Sequence, residues 1–147
     1  MLAALVADPE QMRFYPHPRS RAEARAWIEL NLAVYAEHGF GTWLIEDRET
    51  AEFLGYSGMR PLLLEGAEET EIGWNVAKTA WNRGIATEAA LAARELAFTR
   101  FGLARLVALL PPGHEASRRV AEKIGMRDEG STAVFDGARF AVYAVEA

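Results

Sequence analysis

The run Arg105-Leu-Val-Ala-Leu-Leu110 constrains this chain more than any other stretch, because nothing polar interrupts it between Arg105 and the abrupt stop at Pro111, Pro112 and Gly113. A short, unbroken apolar run of this kind suits a strand buried on both faces rather than one that alternates between core and water. Such a strand requires covering layers, so the chain reads as an α/β (α+β) domain with helices packed over a sheet.

The flanking segments supply those layers. Ser20 and Glu23 have the three-residue spacing of a capping box, in which each side chain satisfies the other residue's free backbone N–H. The helix this predicts runs from about Arg21 to Glu37, buries Ala24, Trp27, Ile28, Val34 and Tyr35 on one face, and stops at Gly39. Two β-prone runs then surround the polar turn Asp47–Thr50 as a hairpin, the first of them Thr42–Glu46. A third strand follows the polar break Glu65–Thr70 and covers about Glu71–Val76. A helix over Thr87–Phe101 precedes the buried strand, and a short helix over Glu115–Ile124 follows it. A hairpin around Asp136 and Gly137 ends the chain. No repeat, low-complexity tract or linker divides this order, which predicts one domain over residues 1–147.

Composition narrows the function classes. A net charge of −5 argues against a general nucleic-acid binder, which needs a basic face, and suits a cationic amine better. No run of about 18 apolar residues exists to span a membrane, and the apolar start Met1–Ala7 is too short and uncharged for a secretory signal. With no cysteine, disulfide and thiolate chemistry are excluded, and a cytoplasmic location is the default expectation. No His, Asp or Glu set has metal-ligand spacing, so no metal is expected.

Between the third strand and the following helix lies Trp81-Asn-Arg-Gly-Ile-Ala-Thr87. Several unpaired N–H groups converge there, at the positive end of the helix dipole. Gly84 permits close backbone approach, Ala86 keeps the next side chain small, and Arg83 adds charge from outside, a geometry suited to a phosphate. The order differs from GxxxxGK[ST], which argues against hydrolysis of a nucleoside triphosphate.

The order of elements, together with "EIGWNVAKTAWNRGIATEA" and "EASRRVAEKIGM", resembles the GNAT superfamily of acetyl-CoA-dependent N-acetyltransferases, in particular its RimJ/RimL-type branch. The likeness extends from Leu2 onward and includes "DPEQMRFYP" and "FLGYSGMR". It implies a mixed, mostly antiparallel sheet of about six strands with a splayed central pair, flanked by about four helices. It further implies transfer of an acetyl group from acetyl-CoA to a primary amine, either a protein N-terminus or a small molecule, by direct attack in a ternary complex. By the resemblance, the backbone of Asn82, Arg83, Gly84, Ile85, Ala86 and Thr87 holds the cofactor's pyrophosphate. Trp74, Asn75 and Val76 pair with its pantetheine arm as a neighbouring strand would. The family's N-x-x-S or N-x-x-A motif falls on His114, Glu115, Ala116 and Ser117, with His114 as a cofactor contact and Ser117 near the thioester sulfur. The loop around Phe14 and Tyr15 resembles the one that covers the acceptor, whereas Trp27, Tyr35 and Trp43 have core periodicity.

Four departures from the family pattern stand out. Trp81 occupies the usual Gln or Arg position, His114 the usual Asn, and Ala121 the position of the tyrosine that protonates the departing thiolate. Ser117 then becomes the candidate donor to sulfur, against the alternative that it caps or packs its helix. The fourth is the strand that family members carry before the first helix. Without it Thr42–Glu46 is an open sheet edge, so that the start lies upstream, a second chain covers the edge as a homodimer, or the edge is tolerated. The acceptor amine must lose a proton, and Glu71 is the candidate base, since Glu71, Gly73 and Asn75 alternate with Ile72, Trp74 and Val76. A backbone N–H on the splayed strand is the expected donor to the oxyanion. Glu88 suits the helix dipole in the first turn, and His17 and His38 read as surface groups. Two other readings remain open at this point: a CoA-binding module without turnover, and an oligomeric interaction protein.

Overall fold

The computed structural model describes residues 1–135 and 137–147. In chain order these form α1 (Leu2–Ala7), α2 (Arg21–His38), β1 (Thr42–Glu46), β2 (Phe53–Leu64), β3 (Ala67–Val76), a single 3-10 turn (Lys78–Ala80), α3 (Ile85–Thr99), β4 (Arg105–Leu110), α4 (Glu115–Lys123), β5 (Arg127–Phe135) and β6 (Ala138–Glu146). The six strands make one sheet in the order β1-β2-β3-β4-β6-β5. Every neighbouring pair is antiparallel except β3 and β4, which run parallel because α3 carries the chain back across the sheet between them. This is the mixed, mostly antiparallel α/β arrangement with four helices that the sequence implies. Asp136, in the expected terminal turn, lies outside the described residues. No helix among the described residues is long and apolar enough to cross a membrane.

β4 behaves as its composition requires. Leu106 and Ala108 pack into the main core with Ala90, Ala93 and Ala97 of α3, while Val107, fully buried, joins Leu62 and Ala144 on the opposite face. The alanines let α3 lie close to the sheet, so that burial on this side comes from contact with the backbone layer as much as from side-chain bulk.

α2 begins where the capping box places it. Ser20 N–H donates to Glu23 Oε2 (2.7 Å), Glu23 N–H donates to Ser20 Oγ (3.2 Å), and Gly39 ends the helix in the left-handed region at φ 75°. Its buried face is narrower than its periodicity predicts. Ala24 is buried and Trp27 partly so, against α1, Tyr15, Phe53 and Tyr56, but Ile28 is 42% exposed. The helix touches its neighbours along one thin line, which leaves Leu30 and Leu32 exposed as well. The open edge expected at β1 is partly covered from α2. Asn31 Oδ1 accepts from Thr42 N–H (2.8 Å), while Asn31 Nδ2 and the Tyr35 hydroxyl both donate to the Thr42 carbonyl (2.9 and 3.2 Å).

β3 starts four residues before the predicted Glu71. The expected break shrinks to Glu65 and Gly66, both left-handed (φ 50° and 87°), a two-residue turn whose twist matches a tight hairpin. Glu69, from the expected break, and Glu71, the expected first strand residue, are both accommodated in the strand by arginines. Glu69 pairs with Arg105 (3.2 Å) and Glu71 with Arg60 (2.5 Å). α3 also begins early, at Ile85, because Gly84 at φ 79° supplies the entry turn with no side-chain cap.

The parallel neighbours β3 and β4 meet in register at Glu71 and Val107. Towards their C-terminal ends they part, leaving a gap of about 130 Å³ with Glu71 and Trp74 on one side, Leu110 and Pro111 on the other, and Ser117 at its rim.

Candidate active site

Three elements end beside this gap: β3, the Trp81–Gly84 loop that leads into α3, and the Pro111–His114 loop that leads into α4. Between them lies a cleft of about 440 Å³. Of the residues predicted to hold a cofactor, Trp74, Asn75, Val76, Asn82, Gly84, Ile85, Ala86, Thr87, His114 and Ser117 all line it. Asn82 and Gly84 are both left-handed, at φ 60° and 79°, and turn the chain tightly around Arg83. Among the described residues, no backbone N–H from Asn82 to Thr87 donates to a protein acceptor, and the first intrahelical bond is Glu88 N–H to the Gly84 carbonyl (3.0 Å). A row of free donors at a helix start fits an anionic ligand such as a pyrophosphate.

Arg83 is the exception. It is exposed and does not line the cleft; its charge acts instead at the β1–β2 turn. There the Asp47 carboxyl is held below its usual range by the Thr50 N–H, then by that of Glu49, with Arg83 a smaller contributor. The cations lining the cleft are Arg13, Arg119 and Lys123, none of which has a motif to announce it.

The N-terminal segment roofs the cleft. Phe14 stacks on His114 with ring centres 4.0 Å apart, and the Arg13 guanidinium lies 5.3 Å from the centre of the Trp81 ring. Lys78 ties the segment down through Asp8 (2.8 Å) and Glu10 (3.2 Å). Gln11 reaches further in, where its Nε2 donates to Asn75 Oδ1 (2.5 Å) and to the Val76 carbonyl (2.9 Å). Trp81, at the family's usual Gln or Arg position, donates its indole N–H to that same carbonyl (2.7 Å). The Val76 carbonyl oxygen therefore already accepts two hydrogen bonds. The strand-like pairing expected there has to use other groups of β3.

His114 caps α4, with Nδ1 accepting the Ser117 N–H at 3.4 Å, which puts the ring proton on Nε2. Burial, and then the charge of Arg13, lowers its pKa, so the ring is neutral near pH 7. Because His114 does the capping, the Ser117 hydroxyl is not a cap. It has no hydrogen-bond partner among the described residues, and it borders both the cleft and the β3–β4 gap. Ala121 does not line the cleft. It is fully buried in the main core, whereas α4 presents Ala116, Ser117, Val120 and Lys123 to the cleft.

On the far side of the gap, between α2 and the sheet, is a cavity of about 600 Å³. Its walls include Trp27, Tyr56, Arg19, Arg60 and Glu71. The Glu71 side chain is only 14% exposed and is held by Arg60, so it belongs to a partly buried ion pair rather than to a solvated strand end. Tyr15 and Trp74 border this cavity, the gap and the cleft alike. Burial raises the Tyr15 phenol above its ordinary range, with smaller contributions from Tyr56 and Glu71, so it stays protonated across the working pH range. The sequence shows Tyr15 only as part of a covering loop and gives no signal for Gln11, Arg19 or Arg60 as site residues. The position of Gln11 depends on contacts 64 and 65 residues away along the chain, with Asn75 and Val76.

The comparisons agree with this geometry. The uncharacterized protein YkkB of Bacillus subtilis (strain 168) is 36% identical over 126 residues, which is 86% of this chain and 73% of that protein. The crystal structure of an acetyltransferase from Agrobacterium tumefaciens str. C58 superposes with a TM-score of 0.85 at 28% identity, covering 99% of this chain and 83% of that one. A likeness of fold alone, at 14% identity, TM-score 0.77 and coverage of 99% and 87%, links it to the aminoglycoside acetyltransferase AAC(6')-Ib in complex with coenzyme A. The acetyltransferase (GNAT) domain itself matches residues 1–127, from α1 through the loop before α3 to the first residue of β5. On that match the chain belongs to the GNAT acetyltransferases.

Proposed function

We propose that the chain moves the acetyl group of acetyl-CoA to a primary amine by direct attack in a ternary complex, as a RimJ/RimL-type N-acetyltransferase. One observation carries the reading: segments distant in the sequence contribute their predicted cofactor residues to one cleft, which opens at Ser117 into the β3–β4 gap and the cavity beyond. When bound, acetyl-CoA supplies an activated acyl thioester. The free N–H groups from Asn82 to Thr87 hold its pyrophosphate, supported by the charges of Arg13, Arg119 and Lys123. Trp74 and Asn75 flank the pantetheine arm, and His114 holds α4 in place through the Ser117 N–H.

The cavity on the other side of the gap holds the acceptor, a protein N-terminus or a small-molecule amine. The attacking nitrogen must be neutral, and Glu71 takes its proton, directly or through water. A backbone N–H at the splayed end of β4 stabilises the oxyanion. As the C–N bond forms and the C–S bond breaks, the nitrogen gives up a second proton, the departing sulfur takes up one to leave as the thiol, and the Ser117 hydroxyl donates a hydrogen bond to that sulfur. The absence of cysteine fits a cytoplasmic setting, and the outer edge of β1 is the surface for a possible homodimer.

Calorimetric titration with acetyl-CoA, followed by thiol release against a panel of primary amines, tests the reading. Saturable binding and amine-dependent release are expected, and failure to bind at millimolar acetyl-CoA overturns the proposal. Binding without release from any amine identifies a CoA-binding module instead.

A further inference from the structure

The acceptor cavity carries charge beyond the Glu71 that the acetyl-transfer reading uses. Four ionisable side chains of fixed sign border it: Arg19, Glu23, Arg60 and Glu71. Glu71 and Arg60 are committed to each other at 2.5 Å. Glu23 is committed to the capping box and to His17, with Oε2 accepting from Ser20 N–H (2.7 Å) and Oε1 lying 3.1 Å from His17 Nε2. Ser20 holds its carboxyl at a pKa of about 2, first through its side chain and then through its backbone N–H, with His17 a smaller influence.

Arg19 differs from the other three. Its backbone is anchored, with N–H to the Val6 carbonyl at 2.7 Å, and its side chain is partly buried. Yet among the described residues its guanidinium forms no ion pair and no hydrogen bond. Arg19 borders both the cavity and the β3–β4 gap, in the company of Tyr15, Arg60 and Glu71. Its charge reaches the Tyr15 and Tyr56 phenols, whose pKa values burial raises and Arg19 lowers in smaller measure.

A guanidinium that lines a cavity without a protein partner is available to a ligand, and its planar fork matches a carboxylate through two parallel hydrogen bonds. The remaining wall is aromatic and apolar, from Trp27, Tyr56, Trp74 and Met12. We infer that the acceptor is a small-molecule amine carrying a carboxylate on an apolar or aromatic body, and that Arg19 binds this carboxylate while the amine faces Glu71 and the gap. The inference rests on the acetyltransferase reading of the site and narrows its substrate class. Arg19 is a specificity residue and takes no part in bond making.

The test uses the full chain with saturating acetyl-CoA and a series of aromatic amino acids in which the spacing between amine and carboxylate increases, each beside its primary amide. Wild-type enzyme is expected to favour the best acid over its amide by about tenfold or more in kcat/KM, the scale of a charge-assisted hydrogen bond. In Arg19→Met that acid-to-amide ratio falls towards one, chiefly through KM for the acid, and Arg19→Lys keeps part of it. An acetyl-CoA titration of each variant reports that the cofactor cleft is intact. Equal use of acid and amide by the wild type, or a ratio unchanged in Arg19→Met, overturns the inference while leaving acetyl transfer standing. So does a peptide with a neutral N-terminal segment that outperforms every acid. Absence of acetyl-CoA binding in the wild type overturns the acetyltransferase reading instead, and the inference with it.

Discussion

Gln11 makes the most informative single perturbation of the site. Its side-chain amide bridges the N-terminal segment to the end of β3, donating to Asn75 Oδ1 and to the Val76 carbonyl. Gln11→Ala removes both bonds, with unequal consequences. The Val76 carbonyl keeps its bond from the Trp81 indole, so it is not orphaned. Asn75 is 7% exposed, and its Nδ2 still donates to the Tyr56 hydroxyl (3.3 Å), but its Oδ1 loses the one partner it has among the described residues. A buried acceptor left unpaired costs about 1–3 kcal/mol, and we expect a loss near 2 kcal/mol. Lys78 still ties down Asp8 and Glu10, so the segment stays in place and the effect remains local.

In urea, a loss of about 2 kcal/mol lowers the unfolding midpoint by roughly 1 M at a slope of about 2 kcal/mol per molar, with the slope itself unchanged. A double-mutant cycle then isolates the pair. Asn75→Ala removes the acceptor that Gln11→Ala would orphan, so the double variant is expected to be about 1–2 kcal/mol more stable than the sum of the single losses predicts. Additivity to within about 0.5 kcal/mol refutes the reasoning, since it means that the two amides do not depend on each other.

Three further outcomes follow from the same geometry. Ser117→Ala is expected to lower kcat by about tenfold or more with little change in the affinity for acetyl-CoA, measured by thiol release and calorimetry, because the lost bond is made to the departing sulfur. Gly84→Ala meets no protein atom within 4 Å but must hold φ 79°, so it is expected to lose about 1–2 kcal/mol of stability in urea and to weaken acetyl-CoA binding. His114 gives a pH dependence whose sign is fixed. Its folded pKa lies below the ordinary 6.5, so the unfolded chain binds the proton more readily, and stability is lost as pH falls from about 6.5 towards the folded value. Urea midpoints across that window are expected to decline on acidification, and His114→Asn should remove that part of the slope.

What the sequence conveys about this fold follows from how local its determinants are. The Ser20–Glu23 box, the Gly39 stop and the unbroken run of β4 act over a few residues, and each appears in the structure where its chemistry puts it. β3 is harder to delimit, because Glu65, Glu68 and Glu69 look like a loop until Arg105, distant in the chain, takes the charge of Glu69. Periodicity put Ile28 on the buried face, but how much of that face is buried depends on how closely α2 approaches its neighbours. In the site, the cofactor loop declares itself through Gly84 and the helix it opens. The acceptor cavity has no such local mark. Tyr15, Arg19 and Arg60 come from segments that meet only after the sheet is assembled, and the inward turn of Ala121 depends on the rotation of α4 about its axis.

An open sheet of six strands normally has two edges, one at each end. By parting after the Glu71–Val107 pair, β3 and β4 give this sheet a third edge in its interior. The outer edges face any passing polypeptide, and proteins have to defend them against aggregation. The inner one is bordered by Tyr15, Pro16 and Arg19 of the N-terminal segment and by Ser117 of α4, so it lies inside the molecule rather than at its rim. One break in the sheet thus offers backbone groups for pairing without adding a further edge at the rim of the sheet.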